Sequence, residues 1–211
     1  MVGPCFRLVS RTPRCIALDL GNANRADKER RRIRDKGAKD MGTAVNRLEN
    51  PFIIDVEASG FGSASYPIEV GVALDNGKKY CTLIMPSSDW TYWDEEAEKL
   101  HRISRDILET YGTPINEVAD TLNDLLDGLT LFTDGWVVDK PWLTTLFYAA
   151  GRPMRFDISP LEMILSEEQM AHWHATKDKI VEDMHLARHR ASYDAWIVQE
   201  TYRQTLGIRN A

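Results

Sequence analysis

Cysteine is scarce in this chain of 211 residues. Cys5, Cys15 and Cys81 are odd in number and show no C-x-x-C spacing. That argues against a disulfide framework and against a cysteine zinc site, and it fits a reducing compartment, the cytoplasm. Long apolar runs are missing too. Nothing approaches the ~18 unbroken apolar residues of a spanning helix, so no membrane partner is expected. No internal repeat is present. A glycine-rich dinucleotide loop is also lacking: the run from Gly60 through Gly62 to Ser65 has no third glycine and leads into a strand rather than a helix. What remains is the composition of an ordinary globular protein, 43% hydrophobic and 27% charged.

Positive charge is missing where a nucleic-acid binder would want it. Residues 1–50 carry 12 Lys/Arg against 6 Asp/Glu, or +6, while residues 51–211 carry 14 against 26, or −12. A body this acidic does not grip polyphosphate by bulk charge, which takes Lys and Arg. If it handles phosphate, divalent metal held by its own carboxylates must supply local positive charge.

The chain divides into two parts. Residues 25–39 read RADKERRRIRDKGAK, with Ile33 the one large apolar side chain. Residues 1–50 are therefore expected to form a disordered basic extension. It reads as an arm against nucleic acid, as a targeting peptide, or as a dispensable stretch with the true start near Met41. From Pro51 onward periodicity is strong. Phe52, Ile53 and Ile54 lead into Asp55, Val56 and Glu57, a buried central strand. Ile68, Val70, Val72 and Leu74 alternate as a second strand; Asn76 and Gly77 make a hairpin turn, and Tyr80 to Met85 a third strand. Ala97, Leu100, Ile103, Ile107 and Leu108 make one helical stripe, and Ile115, Val118, Leu122, Leu125 and Leu126 another. Strands are expected at Leu129 to Thr133 and Met154 to Ile158. Asp139 with Pro141 opens a helix between them, Ser166 to Gln169 is a capping box, and a last helix runs from about Ser192 to Thr205. The class is α/β, a mixed five-stranded sheet flanked by helices.

Three acidic constellations carry chemistry. Asp55 and Glu57 sit two apart on a strand and leave it on one face. Two carboxylates at the end of a buried strand are costly unless neutralised, and a divalent ion with oxygen ligands does that economically. D-x-E also occurs at 27/29 and 94/96, but only the 55/57 pair ends an apolar strand. His189 and Asp194 are spaced H-x4-D. On one continuous helix they would stand ~140° apart. If Ser192 caps the helix, His189 falls on the incoming loop and Asp194 in the first turn, so the imidazole overhangs the acidic site as a general base. His101 and Asp106 share the spacing, but fall inside the helix expected there. Asp139 is the third element, and as a lone residue it reads as a helix cap.

Together these elements resemble the DEDDh 3′–5′ exonucleases, the group of the proofreading exonuclease subunit and ribonuclease T. Residues 52–72, FIIDVEASGFGSASYPIEVGV, are similar to that family's D-x-E-[TS]-[TS]-G-[LF] and I-E-[IV]-G stretch. Residues 97–118 are similar to the stretch holding its H-G-I-[TS], and residues 187–195, ARHRASYDA, to its A-x-H-R-A-x-x-D-A. The second motif departs: H-N-x-x-F-D is replaced by Asp134, Gly135, Trp136, Val137, Val138 and Asp139, which leaves Asp134 as an alternative to Asp139. The resemblance implies an RNase H-like exonuclease domain over residues 51–211. It implies two Mg²⁺ (or Mn²⁺) ions on Asp55, Glu57, Asp139 and Asp194, with His189 as the base. The substrate would be a single-stranded or frayed 3′ end of DNA or RNA, received by Ala58, Ser59, Gly60 and Phe61, with His101 nearby. Phe61 would stack on a base, or else be an ordinary core-edge aromatic. A homodimer stays open. The competing class is a catalytically inactive module of the same fold that binds nucleic acid or protein.

Overall fold

The computed structural model describes residues 49–184 and 189–207. The expected disordered extension therefore lies almost wholly outside the described residues, as do Ala187 and Arg188 of the last motif.

Strand β1 (Ile53–Ala58) is the central strand of a five-stranded sheet in the order β3-β2-β1-β4-β5. It pairs antiparallel with β2 (Pro67–Ala73), which pairs antiparallel with β3 (Lys79–Leu83) through the turn at Gly77, φ 77°. On its other side β1 runs parallel to β4 (Thr130–Thr133), and β4 parallel to β5 (Asp157–Pro160). A parallel return needs a crossover. Here it is made by α1 (Glu95–His101), α2 (Arg105–Tyr111) and α3 (Ile115–Leu126). After β4 come α4 (Trp136–Ala149), β5, a short 3₁₀ turn, α5 (Glu167–Met184) and α6 (Ala191–Thr205).

The two faces of the sheet bury different helices, because alternate side chains leave opposite faces. Ile54, Val56, Val70 and Val72 pack against Val118, Leu122, Leu143 and Leu146 of α3 and α4. Ile53 and Ala73 on the other face pack with Trp173 of α5 and Ala195, Val198 and Tyr202 of α6. The side chains of Asp55 and Glu57 leave β1 on this second face.

Several boundaries differ from the sequence reading. The stripe from Ala97 to Leu108 is two helices. Arg102 is left-handed at φ 58°, the Ile103 N–H donates to His101 Nδ1 at 3.1 Å, and Ser104 caps α2. His101 therefore ends a helix, and the His101–Asp106 spacing crosses a break rather than sitting in one helix. Strand β5 begins at Asp157, because Phe156 turns into the core against Phe147. The capping box at Ser166 is present with both reciprocal bonds, at 3.2 and 3.3 Å. No helix among the described residues is long and apolar enough to cross a membrane.

Candidate active site

The site forms where α6 meets the sheet. Asp55 lies opposite Gly71 on β2, and Glu57 opposite Glu69. At Gly71 the backbone of α6 comes down so closely that an added Cβ would lie 2.1 Å from the Ser192 nitrogen. Glycine is required there by contact, and it brings the first turn of α6 over Asp55. Helix α6 starts at Ala191 with Arg190 at the N-cap position, earlier than a Ser192 cap would place it. The reason is that carboxylates from outside the cap position satisfy its first N–H groups. Asp194 Oδ2 accepts from the His189 and Arg190 N–H groups at 2.8 and 3.1 Å, and Glu69 Oε2 from Ala191 at 3.0 Å. His189 thus sits on the incoming turn at φ 66°, a left-handed region that His visits more readily than most side chains. Asp194 is in the first turn, as the spacing required.

One ligand atom each from Glu57, Asp194 and His189 lies within 4.8 Å of the others. Asp139 reaches the same end of the sheet from α4. It is only 2% exposed; the Thr133 hydroxyl donates to its Oδ2, and the Val56 backbone N–H also donates to it. Gly135 leaves room for it, since a Cβ there would stand 2.8 Å from Oδ2. Asp139 is therefore not the cap of α4. That helix begins at Trp136, because Thr133 Oγ1 holds the Gly135 N–H at 2.9 Å and the Gly135 carbonyl starts the turn; Pro141 falls inside it. Asp134 points elsewhere and pairs with Lys177 of α5 at 2.5 Å.

Crowded carboxylates resist ionising. Burial, then the charges of Asp139, Glu57, Asp194 and Asp134, hold the Asp55 carboxyl well above its usual range. Burial and then Asp194, Glu69 and Asp139 push Glu57 up to about 8, with Arg190 opposing. Burial raises Asp139 to about 7 against the Thr133 hydrogen bond. Oxygen donors with one imidazole suit a hard divalent cation, which would replace the missing protons. The linkage has a definite sign. The unfolded chain loses these protons near pH 4, while the folded metal-free protein keeps them toward pH 7 and 8, so stability falls as pH rises through that window. In EDTA the melting temperature is expected to drop between pH 5 and 8, by about a few kcal/mol of stability. Mn²⁺ should restore it, most strongly near pH 8. Melting in chelator that is flat or rises over that range would count against the cluster.

The expected substrate loop is mostly internal. Ala58, Ser59 and Gly60 are buried. The Ser59 hydroxyl accepts from the Tyr66 N–H at 3.2 Å, and its carbonyl accepts from Asp94. Phe61 is 69% exposed, its ring centroid 6.1 Å from Trp142. Trp142 itself is buried, with its indole N–H on Ser65 at 2.8 Å. His101 is buried rather than on a helix surface, edge-on to Trp93. Its Nδ1 accepts from Ile103, so the neutral ring carries its proton on Nε2, which has no partner among the described residues. Thr133 and the Glu69–Arg190 pair were missed in the sequence; the glutamate two residues before Gly71 was their one available signal.

No protein-family model matches the chain, and no curated protein matches it. Solved structures do. Exonuclease I of E. coli in complex with single-stranded DNA, in its zinc-bound form, superposes with a TM-score of 0.58 at 12% identity, over 72% of this chain and 39% of that one. The same enzyme with a dT13 oligonucleotide gives 0.59 at 11% identity, over 74% and 40%. The moderately thermophilic exonuclease I of Methylocaldum szegediense gives 0.58 at 12%, over 73% and 39%. This chain spans about two fifths of the length of those proteins. What it shares with them is the RNase H-like α/β fold, a mixed five-stranded sheet flanked by helices.

Proposed function

We propose that this chain is a metal-dependent 3′–5′ exonuclease that removes nucleotides from a single-stranded or frayed 3′ end. The observation that carries the reading is the convergence of Glu57, Asp194 and His189 on one spot, beside the crowded Asp55 and Asp139. The shared fold supports it. Asp55, Glu57, Asp139 and Asp194 would hold two Mg²⁺ or Mn²⁺ ions. When bound, such ions offset the phosphodiester charge and ease formation of hydroxide near neutral pH.

The remaining work belongs to the side chains. His189, on its left-handed turn, takes a proton from the water attacking phosphorus. The new P–O bond forms as the bond to the 3′-oxygen of the preceding nucleotide breaks, releasing a nucleoside 5′-monophosphate. Asp194 fixes the turn that carries His189 through its two backbone bonds. Phe61 offers its exposed ring to the terminal base, a sequence-tolerant contact worth about 1–3 kcal/mol. The −12 body places the burden of holding phosphate on the ions rather than on Lys and Arg.

Incubation of 5′-labelled single-stranded DNA and RNA with Mg²⁺ tests this reading. A ladder shortening by one nucleotide is expected, with Mn²⁺ substituting and EDTA stopping it. A single internal cut would instead mean an endonuclease. Intact substrate that is still bound would mean a non-catalytic module of the same fold.

A further inference from the structure

We infer that Glu69 and Arg190 form a positioning clamp for the turn carrying His189 and Asp194, and that Arg190 keeps Glu69 out of the neighbouring carboxylate cluster. The inference rests on the site reading above. Glu69 is 1% exposed, on the face of β2 that meets α6 and directly across from Glu57. A carboxylate so enclosed is costly unless it is paired and hydrogen-bonded. Arg190 meets that need with its planar fork. Nε stands 3.2 and 3.1 Å from the two Glu69 oxygens, and Nη2 2.7 Å from Oε1. The Ala191 N–H adds a fourth bond at 3.0 Å.

Two consequences follow from where this pair lies. Arg190 is the residue next to His189, so its side chain ties the turn to β2 while its backbone N–H is held by Asp194. The turn is pinned from both sides, and the guanidinium plane sets its orientation; a lysine ammonium would keep the charge but lose the fork. The second consequence concerns the cluster. Glu69 shares a face with Glu57, and the Arg190 fork and the Ala191 N–H occupy both of its oxygens, so neither is left for an ion held by Glu57 and Asp194.

Four variants test this: Arg190→Lys, Arg190→Met, Glu69→Gln and the double Glu69→Gln/Arg190→Met. The readouts are kcat and KM on a labelled oligonucleotide, Mn²⁺ affinity by calorimetry, and melting temperature. Arg190→Lys is expected to lower kcat and Mn²⁺ affinity by about 10–100-fold with KM little changed, as for other groups that orient metal ligands. Arg190→Met should be worse than Glu69→Gln, and the double variant should recover part of the loss because no buried carboxylate is left unpaired. Arg152→Ala, which breaks an exposed pair with Asp120, is the control and should change none of these. Unaltered kcat and Mn²⁺ affinity in Arg190→Lys, with only the melting temperature lowered, would reduce the pair to a structural strut and overturn the inference. The calorimetric arm needs no turnover, so a failure of the exonuclease reading would not be confused with a failure of the clamp.

Discussion

Asp55→Asn is expected to abolish nucleotide release while raising the melting temperature of the metal-free protein. Both halves come from one cause. Burial first, and then the charges of Asp139, Glu57, Asp194 and Asp134, resist the ionisation of Asp55. An amide of the same shape stays neutral without binding a proton, so the metal-free protein no longer loses stability through this group as pH rises. It also removes one of the carboxylates that would hold the ions. The expected loss is at least ~10³-fold in kcat/KM, about 4 kcal/mol of transition-state stabilisation. Mn²⁺ affinity should fall with it. Asp194→Ala should lose comparable activity but gain no stability, because its carboxylate also holds the His189 and Arg190 N–H groups. Asp139→Asn should resemble Asp55→Asn, whereas Asp134→Asn should cost much less, since that side chain is already engaged by Lys177. Single-turnover cleavage and calorimetry decide the matter. Full activity in Asp55→Asn would sink the site assignment.

His189→Ala is the second large effect. Loss of a positioned general base typically costs about 10²–10⁴-fold in rate. The fold should survive, because the turn is fixed through backbone groups and the neighbouring Arg190 rather than through the imidazole. His189→Asn is the companion variant, since asparagine tolerates the left-handed backbone at this position. Binding of a labelled oligonucleotide in Ca²⁺ should be little changed in both. Mn²⁺ calorimetry separates two roles, because the imidazole lies in the same 4.8 Å group as Glu57 and Asp194. A base that is not a ligand leaves the affinity intact. A large loss of affinity would make His189 a ligand and transfer the proton to another acceptor.

Much of this was legible along the chain. The alternation at Ile53, Asp55 and Glu57 settles which side chains leave one face, because strand period is a local property. The hairpin at Gly77 and the capping box at Ser166 are local chemistry, and both are present. Helix boundaries were less legible where distant groups do the capping. Glu69 reaches across 122 residues to start α6 at Ala191, and Thr133 starts α4 early. The break at Arg102 is similar: the apolar stripe continued through it, but the His101 ring satisfies the Ile103 N–H that a continuous helix would have used.

By itself, the sequence determined the strand that presents Asp55 and Glu57, the acidic body, and the H-x4-D segment that puts His189 and Asp194 on either side of a helix start. Those are matters of period, composition and spacing. Only the tertiary structure decided that Asp139 rather than Asp134 turns inward, that Ser59 and Gly60 are buried while Phe61 stands open, and that Glu69 is tied to Arg190. Each of those depends on which backbone comes within hydrogen-bond reach. Residues as far apart as 69 and 190 meet because Gly71 lets α6 close on the sheet, a contact no local pattern encodes.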